Sequence, residues 1–259
     1  MDDKELKNIV SLMDREWTRP WEVESELKGV IQSKGMSIVK KLGEAPLPTE
    51  YGGTTYLAFG DYTTGRIHDV IVFGDIERLR NGDYSDPLVR LHSACRSSEL
   101  FHSSNCECRQ ELETAMKAMS EEKKGVILYM DQEGGGNGIA AKISALKGAF
   151  MWSGDGVTQR KEQQTGMPVN TYEVYEAEGY KNENRDFTAV GEILNSLGIK
   201  SVRLMTNNPR KITGVESAGI KVTPVSIHIS PDNEFVSQHL KFKSEKLGHD
   251  INKEHWEKL

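Results

Sequence analysis

Long hydrophobic runs, an excess of positive charge and a secretory leader are all missing from this sequence. The longest apolar runs, GVILYM and DVIVFG, are far shorter than the roughly 20 residues needed to cross a bilayer, so no membrane partner is expected. The 33 basic and 39 acidic side chains leave a net charge of -6, which argues against nucleic acid as a partner. The acidic beginning, MDDKELKNIV, lacks the basic start and apolar centre of a secretory signal, and it therefore predicts a cytoplasmic protein with reduced thiols.

Cysteine is also scarce, and its three copies fall in one short window, RLHSACRSSELFHSSNCECRQELETAM. Cys95, Cys106 and Cys108 follow the spacing C-x10-C-x-C, in which a tight turn presents two sulfurs and a longer excursion returns the third. Zinc is the natural partner of clustered intracellular thiols. Three interpretations are open: buried thiols without a metal, a structural site closed by a fourth ligand such as His92 or His102, and a catalytic site in which water is the fourth ligand.

Strand-like and helix-like segments alternate along most of the chain. The runs TYLAFGD, DVIVFGD, VILYM, SVRLMTN and IKVTPVSI are typical of strands, whereas RQELETAMKAMSEEKKG, DFTAVGEILNSLG and PRKITGVESAG have helical spacing. This alternation predicts an α/β fold with a mixed, partly parallel sheet and flanking helices. Residues 1–44 are expected to form a helical N-terminal extension, because Leu6, Ile9 and Val10 recur at helical spacing. The stretch 147–169 has little periodicity and predicts an irregular lid.

Two segments follow strands and precede helices, where a backbone can hold a phosphate. YMDQEGGGNGIAAK is neither a dinucleotide fingerprint nor a P-loop, and its Glu133 either pairs with the N–H groups of a base or is a solvated turn residue. LMTNNPRK opens a helix at Pro209, so Thr206 and Lys211 either hold a phosphate or merely accompany an N-capping asparagine. The charged segment NENRDF is by itself typical of surface ion pairs.

In this order, VRLHSAC, CEC, LYMDQEG, ENRDF, RLMTNNPRK and NEFVSQHLKFKSEKLGH resemble the GTP cyclohydrolase II family, from about Ala45 to Gly248. That family comprises zinc enzymes that open the guanine ring at the head of riboflavin synthesis. The resemblance implies a GTP cyclohydrolase II-like catalytic domain over residues 45–259, a homodimer, and one zinc ion per chain held by the three cysteines with water as the fourth ligand. Mg2+ is a candidate companion of the nucleotide phosphates.

The resemblance also implies functions for individual residues. In the family, a zinc-activated water attacks C8 of the purine and formate leaves, while an arginine is the proposed nucleophile on the α-phosphate and expels pyrophosphate. Arg185 matches this arginine, and Glu183 matches its neighbouring proton acceptor, which is an aspartate in the family. The remaining matches are to nucleotide-contacting positions, namely Arg90, Leu91, His92, Ser93, Glu111, Glu133, Gly134, Gly135, Thr171, Thr206 and Lys211.

Several positions depart from the family pattern, and they cluster around the substrate rather than the metal. Gly135 replaces a nucleotide-contacting arginine, and Leu146 replaces a tyrosine thought to assist catalysis. Glu111 replaces a glutamine, Ala94 replaces a glutamate, and the link over 147–169 is longer than usual. The implied function is a nucleobase-ring-opening hydrolase that converts GTP to formate, pyrophosphate and a diaminopyrimidine. Two alternatives are open: a member that opens another heterocycle, such as a uracil nucleotide in pyrimidine breakdown, and a nucleotide-binding regulator without turnover.

Overall fold

The computed structural model describes residues 39–163 and 169–255, and strands form the centre of this part of the chain. The strands, in chain order, are β1 (Val39–Thr49), β2 (Gly52–Asp61), β3 (Arg66–Phe73), β4 (Leu88–Ser93), β5 (Gly125–Met130), β6 (Phe150–Ser153), β7 (Gly156–Gln159), β8 (Ser201–Met205) and β9 (Lys221–Val225). Seven of them form one sheet in the order β1-β2-β3-β5-β4-β8-β9, and β6 pairs with β7 in a separate hairpin.

Helices connect these strands and flank the sheet. They are α1 (Ile76–Arg80), α2 (Arg96–Glu99), α3 (Cys108–Glu122), α4 (Ile139–Ala149), α5 (Thr171–Ala177), α6 (Thr188–Ser196), α7 (Pro209–Glu216) and α8 (Glu234–Leu247), with short 3-10 turns at Gly134–Gly136 and Lys253–His255. As predicted, α7 begins at Pro209, and the side chain of Asn208 caps it by accepting the Arg210 N–H at 2.9 Å. No helix among the described residues combines the length and apolar character that a bilayer crossing demands.

The sheet has an antiparallel half and a parallel half, which meet at β5. Strands β1, β2, β3 and β5 pair antiparallel, whereas β5, β4, β8 and β9 pair parallel. The prediction of a mixed, partly parallel α/β sheet is confirmed. Because β4, β5 and β8 run in the same direction, their carboxyl ends meet at one edge, where α/β sheets commonly bind ligands.

Apolar residues fill both faces of the sheet. On β5, Val126, Leu128 and Met130 point to one face and Ile127 points to the other, since successive side chains of a strand alternate. The first face packs against α6, and the second packs against α3 through Met119. The run GVILYM is therefore apolar throughout because both of its faces are buried.

Two sequence-based expectations are corrected, each in a stretch with weak patterning. The expected helical extension covers residues 1–44. Residues 1–38 lie outside the described part of the chain, but residues 39–44 belong to strand β1 rather than to a helix. This strand pairs with β2 at the sheet edge, and a register shift between Lys41 and Gly43 disturbs its alternation. The stretch 147–169 is not irregular throughout, because it completes α4 and then forms the β6–β7 hairpin.

Glycine at position 191 allows α6 to pack closely on the residues that follow α7. A Cβ atom at Gly191 would lie 2.1 Å from the Cβ of Ala218. We expect Gly191→Ala to lower the free energy of unfolding by up to about 2 kcal/mol, because overpacking costs about 1–3 kcal/mol and the gain in helix propensity returns only about 1 kcal/mol. Urea denaturation measures the change. Gly53→Ala, where nothing lies within 4 Å, is the control, and equal stability of the two variants would contradict the prediction.

Candidate active site

The three cysteines meet at the edge where β4 ends. Cys95 follows this strand and precedes α2, Cys108 begins α3, and Cys106 lies two residues earlier. Their sulfur atoms all lie within 4.8 Å of one another, and those of Cys95 and Cys106 are 3.7 Å apart. Zinc with tetrahedral bonds of about 2.3 Å separates its sulfur ligands by about 3.8 Å, so the donor set and its spacing fit that ion.

A lysine lies within this cluster. The Nζ atom of Lys142 donates to the sulfur of Cys95 at 2.9 Å and to Oε1 of Glu133 at 2.7 Å. Hydrogen bonds from the other two thiols, aided by the Lys142 ammonium, lower the pKa of Cys95, and hydrogen bonds to its neighbours and burial raise the pKa of Cys108. Lys142 therefore helps to keep Cys95 in the thiolate form, which is the form that binds a metal.

Neither His92 nor His102, the candidate fourth ligands, belongs to the group formed by the three sulfur atoms. A hydrogen bond of 2.7 Å joins Nε2 of His92 to Glu99, which also accepts the N–H of Cys95 and the hydroxyl of Tyr129. His102 is exposed, and the group of possible metal ligands found among the described residues contains the three cysteines alone. Glu99 therefore holds the backbone of Cys95 in place, and the three cysteines would be the protein ligands of a bound ion.

A buried carboxylate fastens the two other cysteines to helix α8. Glu107, between Cys106 and Cys108, is fully buried and accepts from Nδ1 of His239 at 2.7 Å and from the ammonium of Lys243. Burial alone would raise the pKa of Glu107, but the positive charges of Lys243 and His239 outweigh it and lower the pKa. Sequence reasoning missed this contact, although the i, i+4 spacing of His239 and Lys243 indicates that both lie on one face of the helix.

The glycine-rich turn packs against the segment that carries Arg185. The N–H of Asn184 donates to the carbonyl of Gly135 at 2.9 Å, and a Cβ atom at Gly136 would lie 2.4 Å from the Asn184 carbonyl. Gly135 and Gly136 also have φ values of 65° and 90°, which favour glycine. Both carboxylate oxygens of Glu133 have hydrogen-bond partners within the protein. Oε2 accepts the Arg96 N–H at 2.8 Å, and Oε1 accepts from Lys142.

Arg185 is held by a carboxylate, as the segment NENRDF suggested, but the pair is partly buried rather than exposed on the surface. Its Nε atom donates to Glu183 Oε1 at 2.6 Å, and its Nη1 atom lies 3.3 Å from the hydroxyl of Ser93. Burial would lower the pKa of Arg185, but the hydrogen bonds and charge of Glu183 outweigh it and raise the pKa. Nδ2 of Asn208 donates to Oε2 of Glu183 at 3.2 Å, so the carboxylate that orients the guanidinium is itself held in place.

A buried arginine, Arg90, and a buried lysine, Lys211, also line the pocket. Arg90 donates to the carbonyl of Met205 at 3.0 Å and to Glu111 at 2.5 Å. Burial would raise the pKa of Glu111, but the charge of Arg90 lowers it to about 2. Lys211 donates to the carbonyl of Leu91 at 2.8 Å, and burial together with the charge of Arg90 holds its pKa well below the usual value.

These groups surround an open pocket. Of the residues predicted to form the site, Glu183 and Leu91 do not line it: Glu183 lies behind Arg185, and the Leu91 side chain is fully buried in the core. Leu146 also lines the pocket. The other predicted residues come together there, and they are Arg90, His92, Ser93, Cys95, Cys106, Cys108, Glu111, Glu133, Gly134, Gly135, Thr171, Arg185, Thr206 and Lys211. Lining residues that sequence reasoning missed include Gln132, Lys142, Tyr172, Tyr175, His239, Lys243 and His249.

The fold and this pocket define an α/β protein with a three-thiol metal-type site at the carboxyl ends of parallel strands. The sequence model described as GTP cyclohydrolase II matches residues 40–226. The chain therefore belongs to the GTP cyclohydrolase II family, which is a family of cyclohydrolases by name.

Curated relatives agree with this assignment. The chain is 38% identical over 218 residues to riboflavin biosynthesis protein RibBA of Endomicrobium trichonymphae, and this alignment covers 83% of the chain and 48% of the relative. It is 35% identical over 225 residues to GTP cyclohydrolase-2 of Actinobacillus succinogenes, and this alignment covers 85% of the chain and 94% of the relative. The chain thus spans about half the length of the RibBA relatives that it matches.

Among solved structures, RibBX, a two domain 3,4-dihydroxy-2-butanone 4-phosphate synthase from A. baumannii, aligns over 77% of this chain and 49% of that chain. The TM-score is 0.36 and the identity is 13%, which is too low a similarity to support an argument.

The Glu107–Lys243 pair is expected to be important for stability. Lys243→Met leaves a fully buried carboxylate with His239 as its remaining partner, so we expect the free energy of unfolding to fall by about 3–5 kcal/mol. Urea denaturation measures it. The control is Arg109→Met, which removes an exposed pair with Glu113 at 3.8 Å and should change stability by less than about 0.5 kcal/mol. Similar losses in both variants would show that Glu107 does not depend on Lys243.

Proposed function

We propose that this protein is a zinc-dependent cyclohydrolase that opens a nucleobase ring, with GTP as substrate and formate, pyrophosphate and a diaminopyrimidine as products. The observation that carries this proposal is the meeting of three thiols on the wall of a pocket that also contains buried arginines and lysines. Its support from similarity is the family membership and the names of the relatives.

Cys95, Cys106 and Cys108 would hold one zinc ion, and their sulfur spacing supports this assignment. When bound, zinc supplies a Lewis acid and lowers the pKa of a water ligand toward neutrality. The protein's own groups keep the ligands in position: Glu99 binds the backbone of Cys95, and the buried Glu107 anchors the turn between the other two. Such supporting contacts fix the orientation of metal ligands.

Arg185 is the group proposed to act on the α-phosphate. Glu183 orients its guanidinium and Phe187 packs 5.9 Å from it, so the arginine is presented to the pocket in one orientation. Thr206 and Lys211, where β8 runs into α7, and Thr171, at the start of α5, are proposed nucleotide contacts, as are Arg90, His92, Ser93 and the turn from Glu133 to Gly135. Mg2+ is proposed to accompany the phosphates.

A second candidate function, the opening of another heterocycle such as a uracil nucleotide, is favoured by particular residues. Glu111 is bound to Arg90, and Gly135 presents no side chain to the pocket. Both differ from the family pattern at positions that contact the nucleotide.

Organisation beyond the pocket is proposed from family resemblance. We propose a GTP cyclohydrolase II-like catalytic domain over residues 45–259, preceded by an extension, in a cytoplasmic homodimer. Sedimentation at micromolar concentration tests the dimer, and a monomer there would contradict it.

Zinc content provides the direct test of the metal site. Protein purified without chelator is expected to contain one zinc ion per chain by elemental analysis, and Cys106→Ser should lower this content severalfold, because a hydroxyl is a much poorer zinc ligand than a thiolate. Ser217→Ala is the control, since that hydroxyl bonds only to the Gly214 carbonyl in the described structure, at the end of α7. Unchanged zinc in Cys106→Ser would refute the ligand assignment.

A product assay tests the reaction. The zinc-loaded protein is incubated with GTP, dGTP, ATP, UTP, UMP and uracil, while formate, pyrophosphate and ring absorbance are measured separately. We expect Arg185→Ala to abolish pyrophosphate release and to retain some ring opening, and Cys108→Ser to abolish ring opening, because base and phosphate chemistry depend on different residues.

Arg78→Ala is the control for this assay, because Arg78 is an exposed residue that pairs with Asp83. Tight nucleotide binding without opening of any ring would refute the proposal and favour the regulatory alternative. Ring opening of uracil compounds alone would favour the second candidate.

A further inference from the structure

One tyrosine on the wall of the pocket has a hydroxyl that the described part of the protein does not use. Tyr172 follows Thr171 at the start of α5, lines the pocket and is half-buried. Its backbone N–H donates to the side chain of Asn170 at 2.9 Å, but its hydroxyl makes no hydrogen bond within the described residues. A phenol on the wall of an open pocket is therefore available to donate to a bound ligand.

Helix α8 holds the ring of Tyr172 in one orientation. The ring stacks on His239 with centroids 5.2 Å apart and on Phe242 with centroids 4.7 Å apart. Because these two residues are three positions apart on α8, they lie on the same face of that helix. The direction of the hydroxyl is therefore fixed by packing before any ligand enters the pocket.

The same contacts place Tyr172 beside the thiol cluster. His239 forms a hydrogen bond of 2.7 Å with Glu107, which lies in the turn that carries Cys108. The charges of Cys108 and Arg185 both reach the phenol. Tyr172 thus lies near both groups to which the proposed function assigns chemistry, the cysteine turn and the arginine.

The phenol of Tyr172 keeps its proton. Burial raises the pKa of Tyr172, and this effect outweighs the positive charges of Lys243 and Arg185, which lower it. The group is therefore a neutral hydrogen-bond donor. A donor of this kind, held in position in a site with little water, stabilises an oxygen on which negative charge develops.

The charged donors beside the cysteines are already engaged. Lys142 pairs with Glu133 at 2.7 Å, and Lys243 pairs with Glu107. A ligand that accepted a hydrogen bond from either ammonium would compete with a carboxylate inside the protein. Tyr172 can donate without disturbing an internal ion pair.

A second tyrosine of the pocket, Tyr175, is less accessible. Its ring is buried and makes an edge contact with Tyr180 rather than a stack. Its hydroxyl lies under the glycine-rich turn, 3.1 Å from the position that a Cβ atom of residue 134 would take. Tyr175 is therefore the competing phenol that a test has to distinguish from Tyr172.

We propose that Tyr172 is a further catalytic residue, whose hydroxyl stabilises the negative oxygen that forms while a carbon–nitrogen bond of the substrate is hydrolysed. This inference rests on the proposed function, since it requires a ring-opening hydrolysis in this pocket. Oxygen atoms that become negative in such reactions are commonly stabilised by preorganised donors, tyrosine among them.

The step in question is the cleavage of a carbon–nitrogen bond at a carbonyl carbon, which is how formate leaves in the proposed reaction. The oxygen of water bonds to that carbon while the π electrons of the C=O bond move onto the carbonyl oxygen. The C=O bond then re-forms, and the nitrogen leaves with the electron pair of its bond and takes up the proton that the water lost. Tyr172 neither gains nor loses a proton, and its hydrogen bond is strongest while the oxygen is negative.

Tyr172→Phe is the direct test, because it removes the hydroxyl and keeps the ring that stacks on α8. With GTP as the substrate, we expect formate release to fall by about 100-fold, a loss typical of one missing donor to a developing oxyanion. GTP affinity, measured by calorimetry, should change by less than about threefold, because the hydrogen bond strengthens in the transition state. Zinc content and the thermal unfolding midpoint should be unchanged.

Tyr180→Phe is the matched control, because Tyr180 is exposed and is not among the described residues that line the pocket. It should leave formate release, GTP affinity, zinc content and the unfolding midpoint unchanged. Tyr175→Phe tests the competing phenol, and it should reduce formate release less than Tyr172→Phe does. A loss confined to Tyr175→Phe would assign the role to the wrong tyrosine and overturn the proposal.

Undiminished formate release by Tyr172→Phe would overturn this inference and leave the proposed function standing. A lower zinc content, a lower unfolding midpoint or an equal loss of GTP affinity would also overturn it, since each would indicate a structural or ground-state role. If the wild type itself releases no formate from GTP, the proposed function fails, and this inference fails with it.

Discussion

The geometry of the candidate site depends on one buried ion pair, that between Glu107 and Lys243. A fully buried carboxylate is costly unless it is paired, so Glu107 requires the partners that α8 provides. Because Glu107 lies between Cys106 and Cys108, this requirement ties two of the three thiols to a helix more than 130 residues away along the chain. The ring of Tyr172 stacks on Phe242 at 4.7 Å and on His239 at 5.2 Å, so α5 packs against the face of α8 that carries the partners of Glu107. The thiol cluster and the α8 wall of the pocket are thus parts of one packed unit.

The direction of the strands explains how such distant residues converge. Parallel pairing of β4 with β5 and β8 brings three strand ends to one edge, and each end supplies a different group. The end of β4 leads to Cys95, that of β5 to Glu133, and that of β8 to Thr206. The antiparallel strands β1, β2 and β3 extend the sheet away from this edge, and the described lining residues include none of theirs. The site is therefore built on the parallel half of the sheet.

Sequence reasoning succeeded where the physical signal is local. The strand GVILYM could be predicted because both faces of β5 are buried, and the thiol cluster could be predicted because three cysteines occur close together. It failed on β1, which is mostly exposed and contains glycine and proline, so no apolar alternation marks it as an edge strand. It also missed His239 and Lys243, since their partner is determined by tertiary packing. The internal bonds of Glu133 to Arg96 and Lys142 were hidden for the same reason.

The glycine-rich turn shows how the choice of small residues in one segment is linked to the position of a charged side chain in another. Gly135 and Gly136 lie against the backbone of residues 182–185, and a Cβ at Gly135 would already lie 3.1 Å from the Asn182 carbonyl. A longer side chain here would have to displace the segment that carries Arg185. Its residue would also have to keep the positive φ of Gly135, which only glycine adopts easily. Close packing of this turn therefore accounts for the glycines at positions 135 and 136. It brings the turn directly against the segment that carries Arg185, the guanidinium that Glu183 orients at the pocket.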